Sequence, residues 1–284
     1  MYTTIIVTSN NRVACTVNSI LELSGLELPD NWVYDNGCVL KFEGLNDTIR
    51  LTMIHPEQVS NPDRFISKEK FNDKFKNELP IKMPLGNIKY LVRHGYAGHN
   101  EFSATNEQAH DAALTSTGII QAKNSGLAIV KDSKGILPNL EVKCSDLYRT
   151  MQTIEYVLLE LSEEQRIDTC EVCIEARENS RPIGGLQHWR KDDPLTEIAI
   201  DPTISLDQLR LLAPSKTDVE LERMRIENRP KNDPIKNWNE CLKKVNWLNI
   251  DWSKYIEKLT KGYAEGKTFG QIASQNTLLE IIIE

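Results

Sequence analysis

A short apolar run, Ile88–Val92, stops abruptly at Arg93-His94-Gly95, and this constrains the fold more than any other feature of the chain. A brief apolar run bounded by a turn signal reads as a buried strand. A histidine directly behind such a strand stands on a rigid support, and the glycine lets the chain turn and lets a ligand approach the backbone. The downstream sequence repeats the scheme. Thr117–Val130 has helical periodicity, Leu140–Cys144 reads as a strand, Arg149–Leu161 as a helix and Glu171–Ala176 as a further strand. Residues 204–264 read as mostly helical and polar, with Trp238, Trp247 and Trp252 as packing anchors. Thr268–Ala273 reads as a last strand before a helix from Asn276. Strands alternating with helices predict an α/β fold over residues 87–284, three layers deep, with a mostly parallel central sheet flanked by helices.

Residues 1–86 read differently. β-rich runs at Thr3–Val7, Cys38–Phe42 and Ile49–Ile54 surround a helix-like stretch, Arg12–Leu23, that is followed by Pro and Asn-Gly turn signals. Residues 57–86 are polar and charged, as a linker or surface excursion would be. The expectation is a separate N-terminal β-rich extension, either a layer for a protein partner or an addition to the fold.

Composition excludes several function classes. The net charge of -7 and pI near 5.4 argue against a protein that coats nucleic acid. No run of about 18 apolar residues predicts a membrane span, and the start, MYTTIIVTSNNRV, reads as a strand rather than a secretory signal. The six cysteines are scattered, so a reduced, cytoplasmic protein is expected. Cys170 and Cys173 form a CxxC within a strand-like run. Residues three apart on a strand face opposite ways, and no second CxxC completes a zinc site. Inert thiols are the expectation.

Ligands of open α/β sheets collect at the carboxyl ends of the strands. Three polar clusters fall there, namely Arg93-His94-Gly95, Ser145–Arg149 and Ser274-Gln275-Asn276, with Glu178 after a fourth strand. A neutral imidazole nitrogen can attack phosphorus, and a guanidinium can hold two phosphoryl oxygens. The runs LVRHGYAGHN, DAALTSTGIIQA and CSDLYRTMQT, in this order, resemble the histidine phosphatase superfamily, also called phosphoglycerate mutase-like. Leu114, Thr115, Gly118, Gln121 and Ala122 carry the second run's likeness. Ser145, Asp146, Leu147, Arg149, Gln152 and Thr153 carry the third's. The resemblance implies that His94 is the nucleophile that becomes phosphohistidine, that Arg93 and Arg149 clamp the phosphoryl oxygens, and that Asn100 lines the pocket. It implies Glu178 as the general acid toward the leaving oxygen, with Glu175 the neighbouring candidate.

The chain departs from the family pattern in one place. The resemblance calls for a second histidine after the last core strand, and Gln275 stands there. Its amide can still donate to a phosphoryl oxygen. His99 and His188 read as rim or packing residues. The expected activity is that of a phosphomonoesterase passing a phosphoryl group to His94 and then to water, slowed by Gln275. An impaired member that binds a phosphorylated ligand or a partner is the alternative, and phosphoglycerate mutase-like transfer a second. The substrate class is a small phosphorylated metabolite or a phosphoprotein. No carboxylate cluster stands beside the RHG segment, so no metal and no cofactor are expected.

Overall fold

The computed structural model describes residues 1–27, 32–100, 113–135, 137–145 and 148–173, together with positions 207, 210, 217, 218, 257, 261, 264 and 265. Six strands form one sheet. They are β1 (Thr3–Thr8), β2 (Val39–Gly44), β3 (Ile49–His55), β4 (Ile88–Arg93), β5 (Leu140–Ser145) and β6 (Ile167–Cys173), in the order β3-β2-β4-β1-β5-β6. β1 runs parallel to both β4 and β5, β6 runs parallel to β5, and β2 is antiparallel to both β3 and β4. The α/β expectation holds, with a mixed sheet in which β2 opposes the rest.

The expected separate layer over residues 1–86 is not what the sheet shows. β1 is buried along its whole length and sits between β4 and β5, with Thr8 opposite Arg93 and Val7 opposite Cys144. Its sequence, Thr-Thr-Ile-Ile-Val-Thr, is rich in β-branched residues, which suit a strand buried on both faces. Half of the strands therefore come from the segment read as an extension.

Four helices accompany the sheet among the described residues: α1 (Asn10–Leu23), α2 (Lys68–Lys74), α3 (Ser116–Ser133) and α4 (Tyr148–Leu159). α1 buries Val13, Val17, Ile20 and Leu21, a stripe at helical spacing, against Ile6 of β1 and Leu91 of β4. Tyr90 alternates with Leu91, and its hydroxyl donates to Asp132 of α3 (2.8 Å), an acid also paired with Lys41 of β2 (3.0 Å). α3 starts at Thr115, whose hydroxyl accepts from the Gly118 amide (3.1 Å), a side-chain N-cap.

The stretch 57–86 is no surface excursion. Ile66, Phe71, Phe75, Leu79, Ile81 and Met83 are all buried with Phe42, Leu51 and Met53. Phe71 and Phe75 stack 4.7 Å apart and meet Trp32. These apolar residues enter the core singly, between charged neighbours, and α2 spans too few residues for its period to stand out. Positions 207, 210, 218, 257, 261 and 264 are helical, in line with the reading of 204–264. The side chains of Cys170 and Cys173 lie outside the described set, while Cys15, Cys38 and Cys144 are not in disulfides. Among the described residues no helix is long and apolar enough to cross a membrane.

Candidate active site

The site forms where β4 ends. The Arg93 amide donates to the Cys38 carbonyl (2.9 Å), still within sheet pairing. One residue on, the His94 amide turns to the other neighbour and donates to the Thr8 carbonyl (2.9 Å). The His94 carbonyl accepts from the Asn36 side-chain amide (3.1 Å), and the Gly37 amide donates to the carbonyls of Arg93 (3.1 Å) and His94 (3.3 Å). Gly37 holds φ at +76°, where a side chain would be strained, and a Cβ there would press on Gln121 and Ser125.

His94 is 2% exposed, and two bonds define its ring. Nδ1 lies 2.7 Å from the Gly95 carbonyl, and Nε2 lies 3.2 Å from Arg149 Nε. A carbonyl oxygen only accepts and a guanidinium only donates. Nδ1 therefore carries the proton and Nε2 the lone pair, so both partners enforce one tautomer. This is the tautomer a nucleophilic imidazole needs. Arg149, near the start of α4 and 1% exposed, touches the atom that would attack. A phosphoryl group on Nε2 would come within reach of the same guanidinium.

Arg93 is 6% exposed, and one of its terminal nitrogens donates to the Tyr34 carbonyl. Its Nε is buried without a hydrogen-bond partner. No carboxylate among the described residues lies within ion-pair distance of it. Burial pulls its pKa down to about 10, against the pull of Asp35 and Cys38, and Arg64 and Arg149 push the same way as burial. It remains a cation at neutral pH. Cys38 is no rival nucleophile, because burial pushes its thiol far up.

The other motif residues build the frame. Gly95 donates to Thr153 Oγ1 (3.1 Å), and that hydroxyl donates to the Arg149 carbonyl (2.7 Å), so one side chain ties the RHG loop to α4. Gln121 accepts from the Tyr96 amide (2.8 Å), Gln152 accepts from the Leu114 amide (2.8 Å), and Thr115 binds the Tyr96 carbonyl through amide and hydroxyl. A Cβ on Gly118 would overlap the Tyr96 carbonyl, and one on Gly95 would overlap the Gly118 carbonyl. Both glycines are thus required by the close approach of the RHG loop to α3. Asn100 ends a one-turn helix, Gly98–Asn100, with its Oδ1 accepting from the Ala97 amide (3.1 Å).

Arg149 thus meets His94, Arg93 precedes His94 at the end of β4 within electrostatic reach of Arg149, and Asn100 lies on the loop that follows. Glu175, Glu178, His188, Asp146 and Gln275 lie outside the described residues. Sequence reading missed Tyr34, Asn36 and Gly37, which grip Arg93 and His94. The Asn36-Gly37 dipeptide was the available signal, and it reads as an ordinary turn. Asp35 braces that turn by accepting from the Ser60 hydroxyl (2.9 Å) and the Asn36 amide (2.8 Å).

Comparison with known proteins yields one family. Residues 89–176 match the model of the histidine phosphatase superfamily, branch 1. No curated protein and no solved structure matches the chain. The matched segment spans β4 from its second residue, α3, β5, α4 and β6, with the RHG, LTxxGxxQA and SDLxRxxQT residues, and over these residues the chain is similar to the histidine phosphatase superfamily.

Proposed function

We propose that the protein is a phosphomonoesterase that transfers a phosphoryl group from its substrate to His94 Nε2 and then to water. The observation that carries this reading is the fixed His94 tautomer, with Nδ1 on the Gly95 carbonyl and Nε2 facing Arg149. The substrate P–O bond breaks as the Nε2–P bond forms, and the leaving oxygen takes a proton, for which Glu178 is the candidate donor. Water then attacks phosphorus and frees His94. Arg93, Arg149, Asn100 and Gln275 are the proposed oxyanion partners. Phosphoryl transfer is catalysed largely by positioning and charge stabilisation, and two buried guanidiniums beside the nucleophile supply much of it without a metal. A phosphorylated metabolite or phosphoprotein, met in the cytoplasm, fits such a pocket.

The test is brief mixing with labelled aryl phosphate followed by an alkaline quench. Phosphohistidine is base-stable and acid-labile, so label should survive base, vanish in acid and be absent from His94→Ala. Turnover that persists in His94→Ala would overturn the assignment. Turnover abolished by a chelator and restored by magnesium would overturn metal independence.

A further inference from the structure

We infer that Asp35 is a positioning residue for Arg93 and His94: its carboxylate ties the turn that grips both to the loop at Ser60, beyond β3, and so fixes where the two stand. The inference rests on the proposed phosphoryl chemistry for its kinetic consequence. It concerns a segment that the family match leaves out, since the match begins at residue 89.

The grip is made by residues 34–37. The Tyr34 carbonyl accepts from the Arg93 guanidinium, and the Asn36 side-chain amide donates to the His94 carbonyl (3.1 Å). The Gly37 amide donates to the carbonyls of Arg93 (3.1 Å) and His94 (3.3 Å). Most of these bonds hold backbone, and the His94 ring takes its aim from that backbone. Its Nδ1 is bonded to the Gly95 carbonyl (2.7 Å), so a shift of the chain at 94–95 turns Nε2 away from its line of attack.

The turn in its own right is closed by one bond, from the Cys38 amide to the Asp35 carbonyl (3.1 Å). Its place is set by what ties it down. Ser125 of α3 donates to the Gly37 carbonyl (2.7 Å) at one end. At the other end stands the Asp35 side chain, 4% exposed. One of its oxygens accepts from the Asn36 amide (2.8 Å) and the Ser60 hydroxyl (2.9 Å), and the other accepts from the Ser60 amide. The Ile66 amide, donating to the Val33 carbonyl (3.0 Å), joins the same two segments once more.

The choice of an acid here is informative. A buried carboxylate costs free energy unless hydrogen bonds compensate, and the donors from Asn36 and Ser60 are neutral. An asparagine would cost less to bury, but its NH2 would face the amide of either Ser60 or Asn36, donor against donor. The charge also supports Arg93. Asp35 draws the Arg93 pKa up, against burial, without taking a hydrogen bond from the guanidinium.

The experiment measures orthophosphate binding by titration calorimetry, kcat and KM for an aryl phosphate, and Tm, in full-length wild type, Asp35→Asn, Ser60→Ala and Ser60→Thr. Charge and positioning predict opposite signs for Asp35→Asn. Deleting a negative charge near the pocket favours an anion, so a role confined to charge tightens orthophosphate binding, whereas a positioning role weakens it. The expected result is weaker binding and a kcat lower on the order of 100-fold, the scale of misplacing a reacting group by about 1 Å, with KM changed less. Ser60→Ala keeps the charge and deletes one bond. It should lose on the order of 10-fold in kcat, the scale of one hydrogen bond, and Ser60→Thr should restore the loss. Orthophosphate binding that is tighter or unchanged in Asp35→Asn, with kcat intact, overturns the inference. So does a Tm that falls in Asp35→Asn and Ser60→Ala while kcat and orthophosphate affinity per folded molecule stay at wild-type values. If Asp35→Asn does not fold, the Ser60 pair decides: wild-type kcat in Ser60→Ala overturns the inference, and a loss restored by Thr supports it. A wild type that binds orthophosphate but never turns over the aryl phosphate overturns the phosphatase reading alone, and orthophosphate binding across the variants then decides the inference.

Discussion

The packing around β2, β3 and α2 and the packing at the carboxyl ends of β1, β4 and β5 are built from opposite materials. The first is a continuous apolar cluster of Phe42, Leu51, Met53, Phe71, Phe75, Leu79 and Met83, with Trp32 and Tyr34 at its edge. The second buries Arg93, His94, Arg149, Gln152, Thr150 and Thr153. Apolar burial stabilises a fold at roughly 25 cal/mol per Å². Burying charge costs free energy unless partners compensate. The two regions share one sheet, so the apolar region supplies stability that the polar one spends on holding a histidine and two cations in place. Tyr34 joins them, with its ring meeting Phe71 and its carbonyl holding Arg93.

This division can be broken by substitution. The largest effect should come from His94→Ala, with kcat falling on the order of 10⁶-fold, the scale seen when a covalent nucleophile is removed, and Tm little changed. Steady-state kinetics with an aryl phosphate, beside a thermal melt, checks both halves of that statement. Phe71→Ala should do the reverse. It should cost about 3–5 kcal/mol in urea unfolding, with kcat per folded molecule nearly intact. A large kcat loss at full folding would show that the apolar region tunes the site as well as supporting it.

Glu155 on α4 gives the comparison a pH axis. It is 1% exposed, and burial holds its carboxyl up at about 8. The folded state therefore keeps a proton that the unfolded state releases from about pH 4.5 upward. Its stabilising contribution is complete below that pH and is lost as pH rises toward 8, at up to about 1.4 kcal/mol per pH unit. Urea unfolding across pH 5–8 should show this decline in the wild type and a flatter profile in Glu155→Gln. An identical slope in both would remove Glu155 as the cause.

Thr153→Val should have the smallest effect. It keeps the shape and deletes the hydroxyl between Gly95 and Arg149. Stranding a buried amide costs about 1–3 kcal/mol. If that hydroxyl positions the loop, kcat should fall while KM changes less. A stability loss with unchanged kcat would confine its role to packing.

Much of this was legible in the sequence; α2 was not, because it is too short for its period to stand out, and the other unread parts share a cause. The strands at Thr3, Val39, Ile49, Ile88 and Leu140 and the helices α1, α3 and α4 follow from local patterns of apolar and β-branched residues. The site residues Arg93, His94 and Arg149 follow from short motifs with distinct chemistry. The sheet order does not follow from either. Strand pairing is decided by which apolar faces can be buried together across long separations, and no local pattern shows that β1 inserts between β4 and β5. The same holds for Tyr34, Asn36 and Gly37, whose work on Arg93 and His94 is done by one carbonyl, one turn amide and one side-chain amide. Backbone groups are the same in every residue, so sequence carries no mark of which of them will meet Arg93 or His94. The sequence by itself determined most of the elements and the reactive groups. Only the tertiary structure decided that the opening strand of the chain stands beside His94, because that position depends on contacts between residues 85 apart in the chain, as Thr8 and Arg93 are.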